Sequence, residues 1–340
     1  MNENGGKHGE SRFAAYAWLV LAYTILVILW GTVVRATGSG AGCGDHWPLC
    51  GGQVFPHAAQ VATLIEFAHR LTSAVAIVLM LGLVWFAFRR FETGHPARRY
   101  SAAALFFTFM EGFIGAALVL LGDVGTNVSL SRVCVLSLHL VNTFLLLASL
   151  ALTAVSASSG WFALPENPTE GRKAPSRRLI LAYAAGLLGT LGIAVTGTLA
   201  ALADALFHAT SLGQAFRWDL SPSASPLLRL RIIHPAVAVM VGTFLLILAV
   251  HPLIAPAPAM AKRIAPCLLF LVLLQFCLGG LNVVLLAPLW LQVVHLLTAD
   301  LVWISLVLLS AVMMGLALTR RSSESVHVAE GAAFTEHVVS

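Results

Sequence analysis

Apolar segments about 20 residues long recur along the whole chain, and they constrain its fold more than any other feature. A helix of about 20 residues is long enough to cross a hydrocarbon core of roughly 30 Å. Of the 340 residues, 59% are hydrophobic and only 10% are charged, whereas soluble domains have about 25% charged residues. The strands of a membrane β-barrel would alternate over segments of about ten residues, and these segments do not alternate. The sequence therefore predicts an all-α polytopic membrane protein.

Eight transmembrane helices are predicted from these segments. They cover 14–34, 62–88, 101–121, 133–156, 179–200, 228–250, 264–286 and 290–318. Lys and Arg precede the first span and follow the second, fourth, sixth and eighth. Because positively charged loops face the cytoplasm, both termini are expected there, in a protein of the cell membrane. The net charge of +5 is thus a property of membrane topology, and no nucleic-acid partner is expected.

Two parts of the sequence resemble each other. EFAHRLTSAVAIVL in span two is similar to RIIHPAVAVMVGTF in span six, and SLHLVNTFLLLASL in span four to VVHLLTADLVWISL in span eight. Shared apolar composition is one explanation. The other, which the coinciding polar positions favour, is two tandem four-helix bundles related by a parallel pseudo-two-fold axis. The predicted division is an N-terminal half (1–156), a cytoplasmic linker (157–178), a C-terminal half (179–319) and a cytoplasmic tail (320–340).

Four of the twelve histidines lie inside predicted spans, at similar depth: His69, His139, His234 and His295. Each follows the outer end of its span by about five to eight residues, which is roughly 8–12 Å at 1.5 Å per residue. Ionisable residues inside membranes are rare and are usually functional. Two imidazoles from facing helices can hold a metal macrocycle between them. Two bis-histidine hemes are therefore predicted, one in each half; the alternative is that each histidine hydrogen-bonds between helices.

These motifs resemble those of the heme A synthase family, membrane enzymes that convert heme O to heme A for cytochrome oxidases. The resemblance covers nearly all eight spans. It rests on TGSGAGCGDHWPLCGGQVFP in the first outer loop and on EFAHRLTS, SLHLVNT, RIIHP and VVHLLTADLVW in the spans. It implies oxidation of the C8 methyl group of heme O to a formyl group by successive hydroxylations, with water as the proposed oxygen source.

The resemblance also implies the cofactor and the partners. Heme b is implied as a prosthetic group, heme O as the substrate and heme A as the product, at sites toward the outer face. Besides the lipid bilayer, the expected partners are the heme O synthase that supplies the substrate, an unidentified electron acceptor and further copies of the chain.

Individual residues receive roles from the same resemblance. His69 and His139 are implied as axial ligands of the heme O substrate, and His234 and His295 as axial ligands of heme b. Glu66 lies one turn before the first of these histidines, at the family's acidic position, and is implied as the catalytic carboxylate.

The acidic position has no acidic counterpart in the other half, where Arg231 stands three residues before the corresponding histidine. Only the first half therefore carries an evident acid–base group. A structural ion pair with Arg70 or Arg35 is the alternative role for Glu66. Glu111 in span three is a second candidate for catalysis, but a helix–helix hydrogen bond is the favoured interpretation.

Arginines and cysteines lie at the outer side of the predicted bundle. The candidate partners for heme propionates are Arg35, Arg132, Arg229 and Arg231, although interfacial snorkelling explains each of them equally well. Cys43 and Cys50 lie in the first outer loop, on the side where disulfides persist. A disulfide is expected there, with two free thiols as the alternative. The later outer loop, 201–227, lacks the second cysteine pair of many family members, which argues against a relay between paired disulfides.

Other classes of protein are compatible with part of this pattern. A di-heme electron carrier or a quinone-linked cytochrome would bind both hemes without modifying either. A transporter or a heme chaperone is compatible with the repeat but explains the paired histidines less well. The presence of Glu66 in one half only favours the enzyme, because a symmetric electron relay needs no such difference.

Overall fold

A computed structural model of the chain describes residues 3–57, 60–158 and 175–314. Its helices are α1 (Glu3–Ala36), α2 (Val61–Arg90), α3 (Pro96–Leu120), α4 (Leu130–Ser156), α5 (Arg177–Leu206), α6 (Leu212–Asp219), α7 (Pro226–Ile254), α8 (Ala259–Val284) and α9 (Leu289–Met313). Within these ranges, all but α6 are long and apolar enough to cross a membrane. The predicted all-α membrane fold with eight spans is confirmed.

Local sequence explains where several helices begin. Pro96 stands in the first turn of α3, where a missing backbone N–H is tolerated. The side chain of His95 accepts a hydrogen bond from Ala97 N at 3.1 Å. Ser129 and Ser176 cap α4 and α5 in the same way. Because of these caps, α3, α4 and α5 begin a few residues earlier than predicted.

The later outer segment, 201–227, differs from the predicted loop. α5 continues to Leu206, and α6 follows after a short connection. Ser211 caps α6 by accepting a hydrogen bond from Gln214 N at 3.3 Å. A helix of eight residues is too short for its periodicity to stand out from the turn residues around it. The predicted linker at 157–178 lies mostly outside the described residues, and the tail at 320–340 lies wholly outside them.

The helices pack into two groups of four. In the first, α1, α2, α3 and α4 contact one another in that cyclic order, and in the second α5, α7, α8 and α9 do the same. The groups meet through α1, α4, α5 and α9. Across this boundary Trp303 Nε1 donates a hydrogen bond to Phe144 O at 2.7 Å. The division into two halves and the axis that relates them stay predictions.

Large buried apolar side chains are concentrated at the helix ends away from the four histidines. Phe13, Met80, Leu147 and Leu306 are almost inaccessible and belong to one continuous core. In α2, Met80 follows His69 by about three turns. This packed end fixes the helices relative to one another, and it thereby sets the positions of the ends that carry the histidines.

Removing a side chain from this core is expected to destabilise the protein. We expect Leu147→Ala, at a fully buried position, to lower the free energy of unfolding by about 2–5 kcal/mol. Leu188→Ala is the matched control, because Leu188 in α5 is 69% exposed and faces the lipid. Thermal unfolding in detergent measures both changes, and equal shifts in Tm would contradict the placement of the core.

Candidate heme site

The four intramembrane histidines lie near corresponding helix ends and form two pairs. His69 follows the start of α2 by eight residues, and the other three follow the starts of α4, α7 and α9 by six to nine residues. His69 lies within electrostatic range of His139, and His295 lies within electrostatic range of His234. The structure thus places the two histidines of each predicted pair on helices of the same group of four.

Glycines in neighbouring helices leave room for two of the imidazole rings. A Cβ atom added at Gly31 in α1 would lie 3.2 Å from His69 Cε1. One added at Gly197 in α5 would lie 2.9 Å from His234 Cε1. Both distances are shorter than the favourable separation of two carbon atoms, about 3.5–4.0 Å. The sequence analysis missed these glycines, although a Gly-Thr pair at both positions was a signal.

Three of the four imidazoles contact a polar side chain of an adjacent helix. The contacts are His139 Nδ1 with Glu111 Oε2 (2.6 Å), His234 Nδ1 with Thr196 Oγ1 (3.2 Å), and His295 Nε2 with Gln275 Nε2 (3.2 Å). The interhelix contacts of the alternative interpretation are therefore present. They involve one nitrogen of each ring, so the other nitrogen is available to a metal.

The histidine pairs fit the axial ligation of a heme. Nδ1 of His69 and of His295 is buried and has no hydrogen-bond partner among the described residues. A buried polar group without a partner costs about 1–3 kcal/mol, and rotation of the ring can exchange which nitrogen faces the interior. Facing imidazoles within a four-helix bundle are a common arrangement for holding cofactors. The donor set is thus suitable for one heme in each half.

Glu66 is buried at the outer end of α2, with an exposed fraction of 4%. Its Oε1 lies 2.5 Å from Arg70 Nη2, and its Oε2 accepts a hydrogen bond from Cys43 N at 2.7 Å. The ion pair with Arg70, which the sequence analysis kept as an alternative, is therefore formed. The carboxylate nevertheless stays one helical turn from His69, so the ion pair and an acid–base role are compatible.

Arg70 connects the first outer loop to α2. Its Nη1 donates hydrogen bonds to the backbone carbonyls of His46 and Leu49, each at 2.8 Å. Within the same loop Cys43 and Cys50 form a disulfide, which confirms the predicted bond. This role of Arg70 could not be predicted, because backbone acceptors leave no signal in a sequence.

The two arginines predicted as propionate partners in the C-terminal half already have partners. Arg231 forms ion pairs with Asp219 of α6 and, at 3.1 Å, with Asp204 of α5. Arg229 is exposed, and its Nη2 donates to Pro222 O at 3.1 Å. Arg231 therefore connects the outer segment to α7, as Arg70 does in the other half.

Of the two arginines in the N-terminal half, Arg132 is buried and Arg35 is partly buried. Arg35 Nη2 donates to Gln292 Oε1 of α9 at 3.3 Å, and its Nη1 is buried without a hydrogen-bond partner among the described residues. Arg132 Nη1 donates to the backbone carbonyls of Gly125 and Asn127 at 2.8 and 2.7 Å. Arg35 and Arg229 thus each donate one hydrogen bond to another described residue, and Arg35 is the less exposed of the two.

Together, the fold and the site define a polytopic helical membrane protein with two intramembrane histidines in each group of four helices. Residues 14–307 match the model of the COX15-CtaA family, described as cytochrome oxidase assembly protein. The chain belongs to this family.

Curated relatives carry two different names. A protein of Thermus thermophilus, named protoheme IX farnesyltransferase, is 43% identical over 326 residues, which are 94% of this chain and 51% of the relative. A heme A synthase of Alkalihalophilus pseudofirmus is 30% identical over 148 residues, 44% of this chain and 47% of the relative. A heme A synthase of Geobacillus kaustophilus is 39% identical over 111 residues, 31% and 34% respectively. The chain spans about half the length, or less, of these relatives.

The contacts of Arg70 predict how the first outer loop responds to its loss. We expect Arg70→Ala to increase hydrogen exchange at the amides of Cys50 and Gln53, because the neighbouring carbonyls of His46 and Leu49 lose their bonds to α2. Hydrogen exchange followed by mass spectrometry in detergent measures this change. Arg217→Ala, at an exposed arginine of α6, is the control and should leave the loop unaffected. Unchanged exchange in Arg70→Ala would contradict the anchoring role.

Proposed function

We propose that this chain is a heme A synthase, which oxidises the C8 methyl group of heme O to a formyl group. The observation that carries the proposal is the presence of two intramembrane histidines, near corresponding helix ends, in each group of four helices of a chain of this family. The names of several matched relatives agree with it. Heme O and heme A are then the substrate and the product.

The name of the Thermus relative points to another activity, prenyl transfer to heme. About half of that protein has no counterpart in this chain. We assign the transferase activity to that other half and the oxidation to the half that this chain matches. The assignment also supports a partnership, because a heme O synthase makes the substrate that this chain would consume.

We assign the substrate to the N-terminal half, with His69 and His139 as axial ligands, and heme b to His234 and His295. The support is an asymmetry in acidic residues. Glu66 and Glu111 lie beside the first pair, whereas Arg231 and Gln275 occupy the corresponding places beside the second. Heme b, when bound, would supply one-electron transfer, and Arg35 at the boundary between the halves is the favoured partner for a propionate.

Glu66 is assigned the acid–base role. Converting a methyl group into a formyl group adds one oxygen atom from water and releases four electrons and four protons, so the site needs a group that accepts and passes on protons. A buried carboxylate one turn from an axial histidine is suited to this task. Arg70 and the Cys43 amide each contact one oxygen of the carboxylate, so the Glu66 side chain has a fixed position.

The alternation of charged loops supports a location in the cell membrane with both termini in the cytoplasm. The histidine pairs and the disulfide loop then lie toward the outer face. Water and the electron acceptor can approach from that side, while the prenyl tail of heme O lies among apolar helices.

The proposal is tested by co-expressing the full chain with a heme O source and analysing extracted pigment by chromatography and pyridine hemochrome spectra. A heme A synthase produces heme A, whereas an electron carrier or a heme chaperone yields only unmodified heme O and heme B. Farnesylated product formed from heme B by this chain alone would instead support the transferase.

Glu66→Gln is expected to abolish heme A production and to leave the heme content unchanged, since the amide keeps the size but cannot take up a proton. Arg70→Ala is the control for the ion pair, because it removes the same contact and keeps the carboxylate. Arg70→Ala is expected to retain part of the heme A production, whereas unchanged production in Glu66→Gln would contradict the catalytic assignment.

Gly197→Ala tests the position of the C-terminal histidine pair. The new methyl group would lie 2.9 Å from His234 Cε1, so the imidazole must shift, and we expect about half of the bound heme to be lost from the purified protein. Gly192→Ala in the same helix meets no atom within 4 Å and gives the same gain in helix propensity. Equal heme content in both variants would contradict the assignment.

A further inference from the structure

Glu111 of α3 makes contacts with three side chains of α4. Its Oε2 lies 2.6 Å from His139 Nδ1. Its Oε1 accepts hydrogen bonds from Asn142 Nδ2 at 2.6 Å and from Thr143 Oγ1 at 3.0 Å. Both carboxylate oxygens are thus held in place, one of them against an imidazole that we assign as a ligand.

The other half has an amide at the corresponding position, and this amide contacts Nε2 of its histidine, whereas Glu111 contacts Nδ1. Gln275 replaces Glu111 and contacts its histidine, His295, through an amide nitrogen at 3.2 Å. The two residues that hold the carboxylate are also replaced, since HLVNT in α4 corresponds to HLLTA in α9. Thr298 donates its hydroxyl to Val294 O within its own helix. The carboxylate and the two side chains that donate hydrogen bonds to it therefore occur together beside the N-terminal histidine pair. Beside the C-terminal histidine pair, an amide occupies the corresponding position.

A carboxylate next to Nδ1 changes what an imidazole does as a ligand. It keeps the proton on Nδ1, directs Nε2 toward the metal and makes the ring a stronger electron donor. A stronger axial donor favours ferric over ferrous iron and lowers the reduction potential. A neutral amide has a weaker effect. The N–H of His139 is not aligned with Glu111 in this conformation, but the terminal torsion of a histidine is soft, and at 2.6 Å a small rotation aligns it.

We propose that Glu111 is a positioning residue, which acts through His139 and makes the N-terminal heme site the more reducing of the two. The inference rests on the proposed binding of heme by the histidine pairs, and it adds a direction for electron transfer between the two hemes. Electrons released at the N-terminal site would pass toward the C-terminal one. It also replaces the favoured interpretation from the sequence, in which Glu111 only connects two helices.

The test uses the purified full chain in detergent, loaded with iron protoporphyrin IX as the probe. Optical redox titration gives the midpoint potential of each site, and electron paramagnetic resonance reports the donor strength of its axial ligands. We expect Glu111→Gln to retain heme and to raise the lower of the two midpoint potentials. The expected change is about tenfold in the equilibrium constant for reduction of that heme, which corresponds to about 59 mV for one electron. The resonance of the same heme should shift, and that of the other should not.

Gln275→Glu is the reciprocal variant and should lower the potential of the C-terminal heme. Glu10→Gln removes the same charge from the N-terminal half at the opposite end, where Glu10 lies 3.5 Å from Arg90, and should change neither potential. A purely structural role for Glu111 predicts altered stability with unchanged potentials and resonances in the variants that retain heme, and this result would overturn the proposal. If the wild-type chain binds no heme, the proposed function fails first, and the inference fails with it.

Discussion

The rest of the structure depends on a constraint set by the membrane: a polar side chain among apolar helices needs a partner. Four imidazoles lie inside four helices at similar depth, and three of them contact a polar side chain of an adjacent helix. The dense apolar packing at the far end of the bundle makes this possible. It fixes α2, α4, α7 and α9 relative to one another and thereby positions their other ends, which carry the histidines.

The same constraint explains how the outer segments are attached. In the N-terminal half the acid Glu66 is paired with Arg70, which also binds loop carbonyls. In the C-terminal half the base Arg231 is paired with Asp219 of α6 and with Asp204 of α5. Residues at corresponding positions thus carry opposite charges, yet each connects an outer segment to the helix that bears the first histidine of its half. The two halves therefore attach their outer segments in the same way, through an ion pair, but with residues of opposite charge at the corresponding position.

Features with a clear length or periodicity could be predicted from the sequence. The eight spans follow from hydropathy, the four histidines from their depth, and the disulfide from a close cysteine pair in an outer loop. Each of these predictions depends on the sequence of a single helix or a single loop. The boundaries were less accurate, because capping by residues such as His95 and Ser129 depends on local backbone geometry.

The features that could not be predicted depend on contacts between elements. Glu111 was a polar residue in an apolar span, and only the packing of α3 on α4 places it against His139. Arg70 was one of two possible partners of Glu66, and its backbone acceptors in the loop carry no side-chain signal. α6 was too short to separate from the turns around it. The role of Gly31 and Gly197, which is to leave room for an imidazole ring, is recognised only when the positions of His69 and His234 are known.

The most direct test of the account counts hemes and assigns them to halves. Electron paramagnetic resonance of the purified, heme-loaded chain is compared with that of His69→Ala and His234→Ala. The account predicts two low-spin bis-imidazole signals in the wild-type chain, with a different one lost in each variant and the other retained. Loss of both signals in either variant, or of neither, would contradict the placement of one heme in each four-helix half.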